Sequence, residues 1–438
     1  MEDETRNENI KNAATFFFVL AILTVLAWIL PLRPSYSQDE KRELAAFPDY
    51  DMHALLSGSY YRDIDAWFSD TFTGREMWLA VGETIRSLYG TGDVTIYGEI
   101  GHSDPMPTAE PVQSDKPEPE PVATPVPSAE PEVWKGNVVG EDNFIEFGTV
   151  LQMDDACYEY FYYYEAGAKR HADLMTRAQA LVGDRARVFC ILPPSAICVM
   201  FEQSYLDRIG NANVQEVTDF IYDNCVGVTP VDAFGALLRH NDEYLFFRTD
   251  HHWTATAAYY VYEEYCRTAG LTPAPLDSFR EEVYKNFTGS LYAYVNRANM
   301  LRADEVHAYI PPGDIEMLVT NEGGTTYDAD VVADASDYAE NSKYLCFIQG
   351  DNPITKITNE SCENENSCLL VKDSFGNCFA PFLTQNYRTV YVVDYRSYRY
   401  FDLSGLVDMY GIDDVIFLNN LTLCQADITA DDLGELIG

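Results

Sequence analysis

Basic residues are scarce in this chain of 438 residues. Lysine and arginine together number 29, against 70 aspartates and glutamates, so the formal net charge is −41. Proteins that bind nucleic acid present basic surface to the phosphates, and this balance argues against such a partner. It argues equally against docking on an anionic lipid surface. The negative charge is otherwise what an acidic protein surface would give, and it does not identify a binding partner.

The ten cysteines include no Cys-x-x-Cys pair. A zinc site with four sulfur ligands therefore has no local support, and we expect neither a metal nor a cofactor. Several cysteines lie in apolar runs and are expected to be buried free thiols. Cys362 and Cys368 flank a polar loop and are the best candidates for a disulfide if the domain is extracytoplasmic.

One apolar run without a charge occupies residues 13–30 and ends before Pro31. It is at the short end of the ~20 residues that cross a bilayer. No small-x-small cleavage motif follows, which favours an uncleaved transmembrane signal-anchor over a removed signal peptide. A buried core helix is the alternative. Lysine and arginine are nearly balanced across the run and do not decide its orientation. We expect residues 1–12 to form a short cytoplasmic tail, with a single pass through the cell membrane and the remaining chain outside the cytoplasm.

Three further segments differ in composition. Residues 31–105 form a membrane-proximal region in which Tyr61, Ile64 and Phe68 recur at helical spacing. Residues 106–132 are rich in proline and acidic residues, so they have nothing to bury and are expected to form a linker or loop. Residues 133–438 carry the pattern of a folded domain.

Short apolar runs alternate with helical patterns in that domain. Runs of this kind, without alternation, are typical of strands buried on both faces, and hence of a parallel sheet. They occupy residues 187–192, 369–371, 389–393 and 415–418, with helical patterns at 154–181, 214–225 and 401–410. The sequence therefore predicts an α/β fold with a doubly wound parallel sheet and flanking helices. Residues 286–365 are less regular and are expected to form loops, an insertion or edge strands.

The middle of the chain carries the densest cluster of acid and base groups. Asp250, His251 and His252 follow an apolar run, and Thr254 is placed to cap a helix over residues 255–266. Two consecutive side chains point in different directions, so at most one histidine faces any one partner. We predict that His252 is a general base and that Asp250 orients its other ring nitrogen.

A serine follows the apolar run at 369–371. Ser374 stands in a turn of small residues, where a base such as His252 would activate its hydroxyl as a nucleophile. The Ser374 N–H, together with Gly376 or the Asn377 amide, is the candidate oxyanion donor. The alternative is that Ser374 only caps the following helix.

The acid and base cluster also has other interpretations. Metal-dependent phosphoesterases use Asp-His-His, but they need further acidic ligands, and the sequence has no second such cluster. A structural pair of satisfied imidazoles is another possibility. Asp304 and His307 form a second Asp-x-x-His spacing, which ranks behind the first because it lies in the irregular region.

These residues resemble a known family. The segment Asp250-His251-His252-Trp253 resembles the signature of the DHHW protein family, and so do Gly289-Ser290-Leu291, the segment around Ser374, and Asp394-Tyr395-Arg396. The family is similar to the SGNH-hydrolase-like domains of alginate O-acetylation proteins. The resemblance implies that Asp250 and His252 are the acid–base pair and that Ser374 is the nucleophile. Along the chain the acid and the base then precede the serine, which reverses the usual SGNH order. An SGNH hydrolase carries Gly-Asp-Ser where this chain has Lys372-Asp373-Ser374, so the oxyanion donors are not fixed by the match. Tyr395 and Arg396 are candidates for substrate contact or for a structural role.

The resemblance implies a function at the cell surface. We expect a serine-dependent O-acetyltransferase that acetylates hydroxyls of a cell-surface polysaccharide. Acetyl-CoA is cytoplasmic, so the implied donor is a multispanning membrane-bound O-acyltransferase that carries acetyl across the membrane. An esterase, in which water replaces the sugar, is one alternative. A non-catalytic module that binds or assembles polysaccharide on the same fold is the other.

Overall fold

A computed structural model describes two continuous stretches of the chain and scattered earlier residues. The described residues are 36–37, 42–43, 47, 60, 64, 67, 71, 96–97, 104, 106, 144–147, 150–153, 155–294 and 301–438. The chain divides into one unit of residues 1–92 and 296–300 and a second of residues 93–295 and 301–438. In the first unit, strands β1 (Tyr36–Ser37) and β2 (Arg42–Glu43) pair antiparallel.

A mixed sheet of eight strands is the centre of the second unit. The strand order is β12-β11-β13-β15-β14-β16-β7-β8. The bounds are β7 Arg187–Ile191, β8 Thr229–Val231, β11 Ile315–Thr320, β12 Thr326–Ala329, β13 Ile354–Asn359, β14 Ser367–Lys372, β15 Thr389–Asp394 and β16 Asp414–Leu418. The strands from β15 to β8 run parallel to one another, whereas β13, β11 and β12 add to the β15 edge antiparallel.

The four apolar runs become β7, β14, β15 and β16, which confirms the parallel part of the predicted sheet. The prediction that the whole sheet is parallel is wrong, because three antiparallel strands lie in the region taken as irregular. Strand β11 alternates buried and exposed positions and β12 has no buried residue. A strand with one solvated face gives no continuous apolar run, so the sequence does not locate either strand and predicts edge strands at 286–365 only as one of three possibilities.

Nine helices in the described residues flank these strands. They are α1 Glu165–Val182, α2 Ala196–Met200, α3 Gln203–Ile209, α4 Val214–Asp223, α5 Ala233–Leu238, α6 Ala255–Ala269, α7 Ala380–Leu383, α8 Leu403–Tyr410 and α9 Asp427–Ile437. The helices predicted at 214–225, 255–266 and 401–410 are confirmed as α4, α6 and α8.

Helix α1 begins eleven residues after the predicted start at 154, and the prediction is wrong there. The intervening chain forms β6 (Ala156–Glu159), which pairs antiparallel with β5 (Val150–Met153), and then a run of four consecutive buried aromatics. The one-sided burial typical of a long helix on a core begins only at Glu165, where buried and exposed residues recur at helical spacing.

Two smaller sheets complete the second unit. Strands β3 (Ile96–Tyr97) and β4 (Phe144–Phe147) join β5 and β6 in a sheet of four strands. Strands β9 (Arg280–Phe287) and β10 (Asp304–Ile310) pair antiparallel as a separate ribbon. The backbone N–H of Cys157 in β6 donates to the Arg248 carbonyl at 2.7 Å. The small sheet is thereby fixed to the loop that carries the acid and base cluster.

Several predictions fall on other parts of the chain. The cytoplasmic tail at 1–12, the membrane span at 13–30 and all but the first residue of the linker at 106–132 lie outside the described residues. Within the described part of the chain, no helix has both the length and the apolar character to cross a bilayer. Met106 itself packs half-buried against the core.

The ten cysteines are free thiols. The expectation of a Cys362–Cys368 disulfide is therefore wrong. Cys368 is fully buried within the central strand β14, and the Cys362 Sγ lies 4.0 Å from the Gln385 carbonyl oxygen instead. The expectation of buried free thiols is confirmed for most of the ten.

Candidate active site

The serine stands at the end of the most central strand. Strand β14 is paired on both sides, and its six residues are all buried. It ends in a tight 3-10 turn, Ser374–Gly376, which Asp373 caps by accepting the Phe375 N–H at 3.0 Å. The other oxygen of Asp373 accepts the Asn420 N–H at 2.6 Å, and burial raises the pKa of this carboxyl to about 6. Asp373, and not Ser374, therefore caps the turn. The Ser374 hydroxyl is not used as a cap and is free to contact a base.

The acid and base groups lie in a closed loop before α6. The Phe247 N–H donates to the His252 carbonyl at 3.3 Å, and the Thr254 N–H donates to Leu245 at 2.8 Å. The Thr254 hydroxyl accepts the Ala257 N–H at 3.3 Å and caps α6 as predicted. Residues 245–247 make only an isolated bridge, so this loop precedes the helix without following a strand of the central sheet.

A tryptophan joins the loop to the serine turn. Trp253 is fully buried, and its indole N–H donates to the Phe375 carbonyl at 2.9 Å. The two residues are 122 positions apart in the chain. Because Phe375 follows Ser374 and Trp253 follows His252, this hydrogen bond holds the serine turn against the loop that carries the imidazole.

The structure brings the three predicted residues together. The His252 Nε2 lies 2.7 Å from the Ser374 Oγ, and its Nδ1 lies 2.5 Å from Asp250 Oδ1. Asp250 Oδ1 also accepts the His252 backbone N–H at 3.0 Å, and Oδ2 accepts the Ser290 N–H at 2.7 Å. Burial by itself would raise the pKa of Asp250, but the charge and hydrogen bond of His252 hold it well below its ordinary value. The aspartate is therefore ionised beside the imidazole.

Tyr344 supports both the base and the nucleophile and was not found from the sequence. Its ring stacks on the His252 imidazole with centroids 4.2 Å apart, and its hydroxyl donates to the Ser374 carbonyl at 2.9 Å. It lies in a short turn, Lys343–Cys346, within the region predicted as irregular. Nothing in its local sequence marks it, because its partners lie 30 and 92 residues away.

A glycine lets the chain approach the aspartate. The Gly289 N–H donates to Thr249 Oγ1 at 2.9 Å, and the next N–H, of Ser290, reaches Asp250. A Cβ added at Gly289 would lie 2.1 Å from the Asp250 Cβ and 2.2 Å from its Oδ2. Only a residue without a side chain fits there, which gives a physical reason for the glycine of the Gly289-Ser290-Leu291 segment.

Gly289→Ala is expected to destabilise the protein by about 1–3 kcal/mol, because the methyl group must displace the Asp250 carboxylate or the backbone beside it. The reactivity of the Ser374 hydroxyl should fall with it, since displacement of Asp250 moves His252. Thermal unfolding and the rate of serine acylation measure the two effects. Gly434→Ala in α9 is the control, because its Cβ would meet only Leu174 at 3.9 Å. A stable, fully active Gly289→Ala protein would contradict the close approach.

The two predicted oxyanion donors are already engaged. The Gly376 N–H donates to the Asp373 carbonyl at 2.9 Å, and the Asn377 N–H donates to Ser374 at 3.2 Å. The Asn377 side chain donates to Asp351 Oδ1 at 3.0 Å. In this conformation the Gly376 N–H does not serve as an oxyanion donor. The Ser374 N–H makes no hydrogen bond to another described residue and is the remaining donor of the predicted set.

Arg396 and Tyr395 occupy different environments. Tyr395 is fully buried, so it offers no surface to a substrate. Arg396 is half-exposed and its guanidinium donates twice to Asp394, at 2.8 and 2.6 Å, and lies 2.9 Å from Asp351. The buried Lys372 holds the same two carboxylates at 2.8 and 2.9 Å. Lysine therefore replaces the glycine of Gly-Asp-Ser because this position anchors an ion-pair network beneath the serine turn.

The second acid–base spacing does not form a pair. The buried Asp304 carboxylate accepts the N–H groups of Arg248 and Thr249 at 2.9 and 2.8 Å, together with the Thr249 hydroxyl at 2.6 Å. The His307 Nδ1 lies 2.6 Å from Glu281. The lower-ranked alternative, an Asp304–His307 pair, does not form, because three positions along a strand place the two side chains on opposite faces. Asp304 instead holds the start of the Asp250 loop.

A metal site is geometrically conceivable at Asp250, His251 and His252, whose ligand atoms lie within 4.8 Å of one another. Both ring nitrogens of His252 are already occupied, by Asp250 and by Ser374. Binding a metal through His252 would break one of these contacts. The donor set therefore fits a serine–histidine–aspartate arrangement better than it fits a metal ion.

Glu159 lies near this arrangement without taking part in it. Burial, and then the charge of Asp250, raise the pKa of its carboxyl to about 7 against the opposing effect of His252. The folded protein therefore keeps a proton that the unfolded chain releases at lower pH. Glu159 consequently lowers the free energy of unfolding, and this loss grows as the pH rises from the ordinary pKa of a glutamate through about 7.

Glu159→Gln is expected to raise the melting temperature relative to the parent by ~2–4 °C at about pH 8, and by less at about pH 5, because glutamine carries no charge to bury. Thermal unfolding at the two pH values measures the difference. Glu322→Gln, at an exposed position, is the control and should leave the melting temperature unchanged at both pH values. An equal shift of Glu159→Gln at both pH values would contradict the raised pKa.

Comparison with known proteins identifies a family and solved structures of similar fold. The family described as DHHW protein matches residues 40–118 and 128–393. A DHHW family protein from Eubacterium siraeum is 26% identical, over 65% of this chain and 94% of that chain, with a TM-score of 0.58. Bacillus cereus PatB1, solved with a sulfonyl adduct, is 18% identical over 64% of this chain and 98% of that chain, with a TM-score of 0.53.

These two structures share the mixed α/β fold with a large central sheet. The O-acetyltransferase domain of Pseudomonas putida AlgJ also matches, at 14% identity over 64% of this chain and 96% of that chain. Its TM-score of 0.36 is too low to show a shared fold. No curated protein matches the chain.

Proposed function

The chain belongs to the DHHW protein family, and from that premise we propose that it is a serine-dependent O-acetyltransferase with an SGNH-hydrolase-like architecture. One observation carries the proposal. The continuous contact from Asp250 through His252 to Ser374 is the arrangement that turns a serine hydroxyl into a nucleophile. The substrate would be a hydroxyl of a cell-surface polysaccharide, as the family resemblance implies.

The reaction proceeds in two balanced steps. Ser374 Oγ attacks the acyl carbonyl of the donor, its proton passes to His252 Nε2, and the donor's leaving group departs with that proton. A sugar hydroxyl then attacks the acyl-serine, its proton passes to His252 Nε2, and Ser374 Oγ recovers a proton as its bond to the acyl group breaks. Asp250 stabilises the imidazolium in both steps. The Ser374 N–H donates to the oxyanion.

The donor and the location complete the proposal. We place the catalytic domain outside the cytoplasm, anchored by the apolar run at 13–30. Acetyl-CoA is confined to the cytoplasm, so acetyl reaches Ser374 from a multispanning membrane-bound O-acyltransferase. No residue of the site requires a cofactor, since the serine, imidazole and carboxylate together perform nucleophilic attack and proton transfer.

The experiment offers the purified protein p-nitrophenyl acetate, with and without a sugar acceptor. A transferase is expected to show a burst of p-nitrophenol from acylation, slow release of acetate, and faster turnover with acetylated sugar as product when an acceptor is present. Intact mass and peptide mapping should place the acetyl group on Ser374. Addition of a chelator should change nothing, because the contacts of His252 leave no ring nitrogen for a metal.

Each other outcome has a definite meaning. Equal acetate release with and without an acceptor would identify an esterase and contradict the transferase. The absence of any acetyl adduct on Ser374 would contradict both enzymes and favour a module that binds polysaccharide without catalysis. Inhibition by a chelator would favour the metal interpretation of Asp250, His251 and His252.

A further inference from the structure

One segment of the chain contacts the serine turn at two separate points. Tyr344 stands at the start of this segment, and its hydroxyl donates to the Ser374 carbonyl at 2.9 Å. Asp351 stands at its end, and the Asp351 Oδ1 accepts the side-chain N–H of Asn377 at 3.0 Å. We call residues 344–351 the bracing segment, because it meets the turn both at its first residue and at the residue that follows its last.

The backbone between these two contacts has a conformation that L-residues rarely adopt. Ile348, Gln349 and Gly350 are consecutive and have φ angles of 45°, 61° and 78°. Glycine takes such angles freely, whereas the Cβ of glutamine and the branched side chain of isoleucine crowd the backbone there. Among the described residues, Asn286 is the one other non-glycine residue with a positive φ, and asparagine tolerates it well. The bracing segment is therefore strained at Ile348 and Gln349.

Neighbouring groups hold the strained residues in place. Ile348 is buried, and its N–H donates to the Val331 carbonyl at 2.9 Å. The Asn352 side chain donates to the Gln349 carbonyl at 3.0 Å. Strain that persists because the surroundings enforce it is typical of segments that place a functional group. The group placed here is the Asp351 carboxylate, directly after the left-handed residues.

The Asp351 carboxylate connects the serine turn to the strand before it. The oxygen that accepts from Asn377 also accepts from the Lys372 Nζ at 2.8 Å, and the other oxygen lies 2.9 Å from the Arg396 Nη2. Lys372 is the last residue of β14 and is fully buried. Asn377 is therefore tied, through one carboxylate oxygen, to the strand that carries the serine.

Asn377 in turn determines how the serine is presented. Its backbone N–H donates to the Ser374 carbonyl at 3.2 Å, and the same carbonyl accepts the Tyr344 hydroxyl. The turn presents the Ser374 Oγ at 2.7 Å from the His252 Nε2. A displacement of the turn by about 1 Å would lengthen this contact beyond a hydrogen bond.

We propose that Asp351 is a positioning residue for the Ser374 hydroxyl, which it acts on through the Asn377 side chain. The strained residues of the bracing segment place the carboxylate, and Tyr344 holds the other end of the turn. This inference rests on the proposed function, because it names a residue that supports the same nucleophile.

Replacement of Asp351 tests the proposal by rate. Asp351→Ala should lower the rate of acylation at saturating p-nitrophenyl acetate by ~10- to 100-fold and leave KM within ~2-fold, because it moves the hydroxyl without removing a contact to the ester. Asp351→Asn should recover most of the rate. Lys372 and Asn377 both donate to the position of Oδ1, so the amide oxygen turns toward them. Equal losses in the two variants would overturn the route through Asn377.

Replacement of Asn377 tests the same contact from its other side. Asn377→Ala leaves the ion pairs of Asp351 intact, so it remains informative if Asp351→Ala does not fold. Its loss of rate should match that of Asp351→Ala, and the double variant should lose no more than ~3-fold beyond either single variant. Losses that multiply would overturn the proposal. Asp402→Ala is the control, because Asp402 caps α8 through the Gly405 N–H at 2.7 Å; it should lower the melting temperature and keep the parental rate.

The strain has a measurement of its own. Gln349→Gly removes the Cβ from a residue with a φ of 61° and should raise the melting temperature by about 1–3 °C. A lower melting temperature would contradict the strain and remove the bracing segment from the proposal.

A nitrogen NMR resonance of the His252 Nε2 reports its contact with Ser374 whether or not the protein transfers acyl groups. Asp351→Ala should shift this resonance, Asp351→Asn should return it toward the parental position, and Asp402→Ala should leave it unchanged. If the parent protein acquires no acetyl group on Ser374, the proposed function fails while the resonance still tests the positioning. A parental resonance and a parental acylation rate in Asp351→Ala would overturn the inference and leave the acylation chemistry standing.

Discussion

Ser374→Ala is expected to lower the rate of acyl transfer by about 10⁴- to 10⁶-fold, because no other hydroxyl contacts the His252 Nε2 in the described structure. The change removes one oxygen from a side chain that is 9% exposed and leaves the 3-10 turn intact, since Asp373 provides its cap. The melting temperature should stay close to that of the parent protein. Burst kinetics with p-nitrophenyl acetate measure the rate, and thermal unfolding checks the fold.

The matched control is Ser336→Ala, which removes an exposed hydroxyl whose hydrogen bond goes to Asp334. It should retain the full burst. A Ser374→Ala protein that still forms an acetyl adduct within ~10-fold of the parent rate would show that another group is the nucleophile. Ser290, which contacts His251 Nδ1 at 2.7 Å, would then be the next serine to replace.

The central strands and the position of the serine were predictable because their signals are local. A run of apolar residues bounded by turn residues encodes a strand buried on both faces, which is how β14 and the turn at Ser374 were located. The alternating strand β11 and the largely exposed strand β12 share no such run. Their positions in the sheet beyond β15 depend on pairing with strands far along the chain, and the local periodicity of the sequence carries no information about such pairing.

The same distinction separates the parts of the site. The Asp250–His252 contact spans two residues, so its spacing is visible in the sequence. The contacts that fix the geometry between His252 and Ser374 run from Trp253 to Phe375 and from Tyr344 to Ser374, over 122 and 30 residues. Only the folded chain brings these together. The capping role of Asp373 is local, however, and an aspartate directly before a serine turn was a signal that sequence reasoning could have used.

The packing of the serine turn explains why Gly376 and Asn377 do not offer free N–H groups. The sequence predicts Gly376 or the Asn377 amide as a donor beside the Ser374 N–H, because they lie in the turn that surrounds the serine with N–H groups. Here the turn closes on itself through those N–H groups, and a Cβ at Gly376 would lie 2.5 Å from the Lys372 Cβ. The glycine is required by close packing on Lys372. Its donor is consumed in holding the turn that presents Ser374.

Asp250→Asn is expected to lower the acylation rate by ~10⁴-fold, a loss second only to that of Ser374→Ala. Asp250 Oδ1 accepts two hydrogen bonds, from the backbone and from Nδ1 of His252, while Oδ2 accepts the Ser290 N–H. An asparagine that keeps its oxygen toward Ser290 turns its NH2 group toward His252. The imidazole must then carry its proton on Nε2, where it cannot accept the proton of Ser374.

The opposite orientation of the asparagine amide also loses a hydrogen bond. Its NH2 group would face the Ser290 N–H, which leaves two buried donors opposed and costs about 1–3 kcal/mol of stability. Asp304→Asn provides the matched control, because Asp304 holds the same loop through Arg248 and Thr249 without touching His252. It should destabilise the protein to a similar extent while reducing the acylation rate far less. Equal losses of rate in the two variants would mean that Asp250 only holds the loop, and that the tautomer of His252 is set by another group.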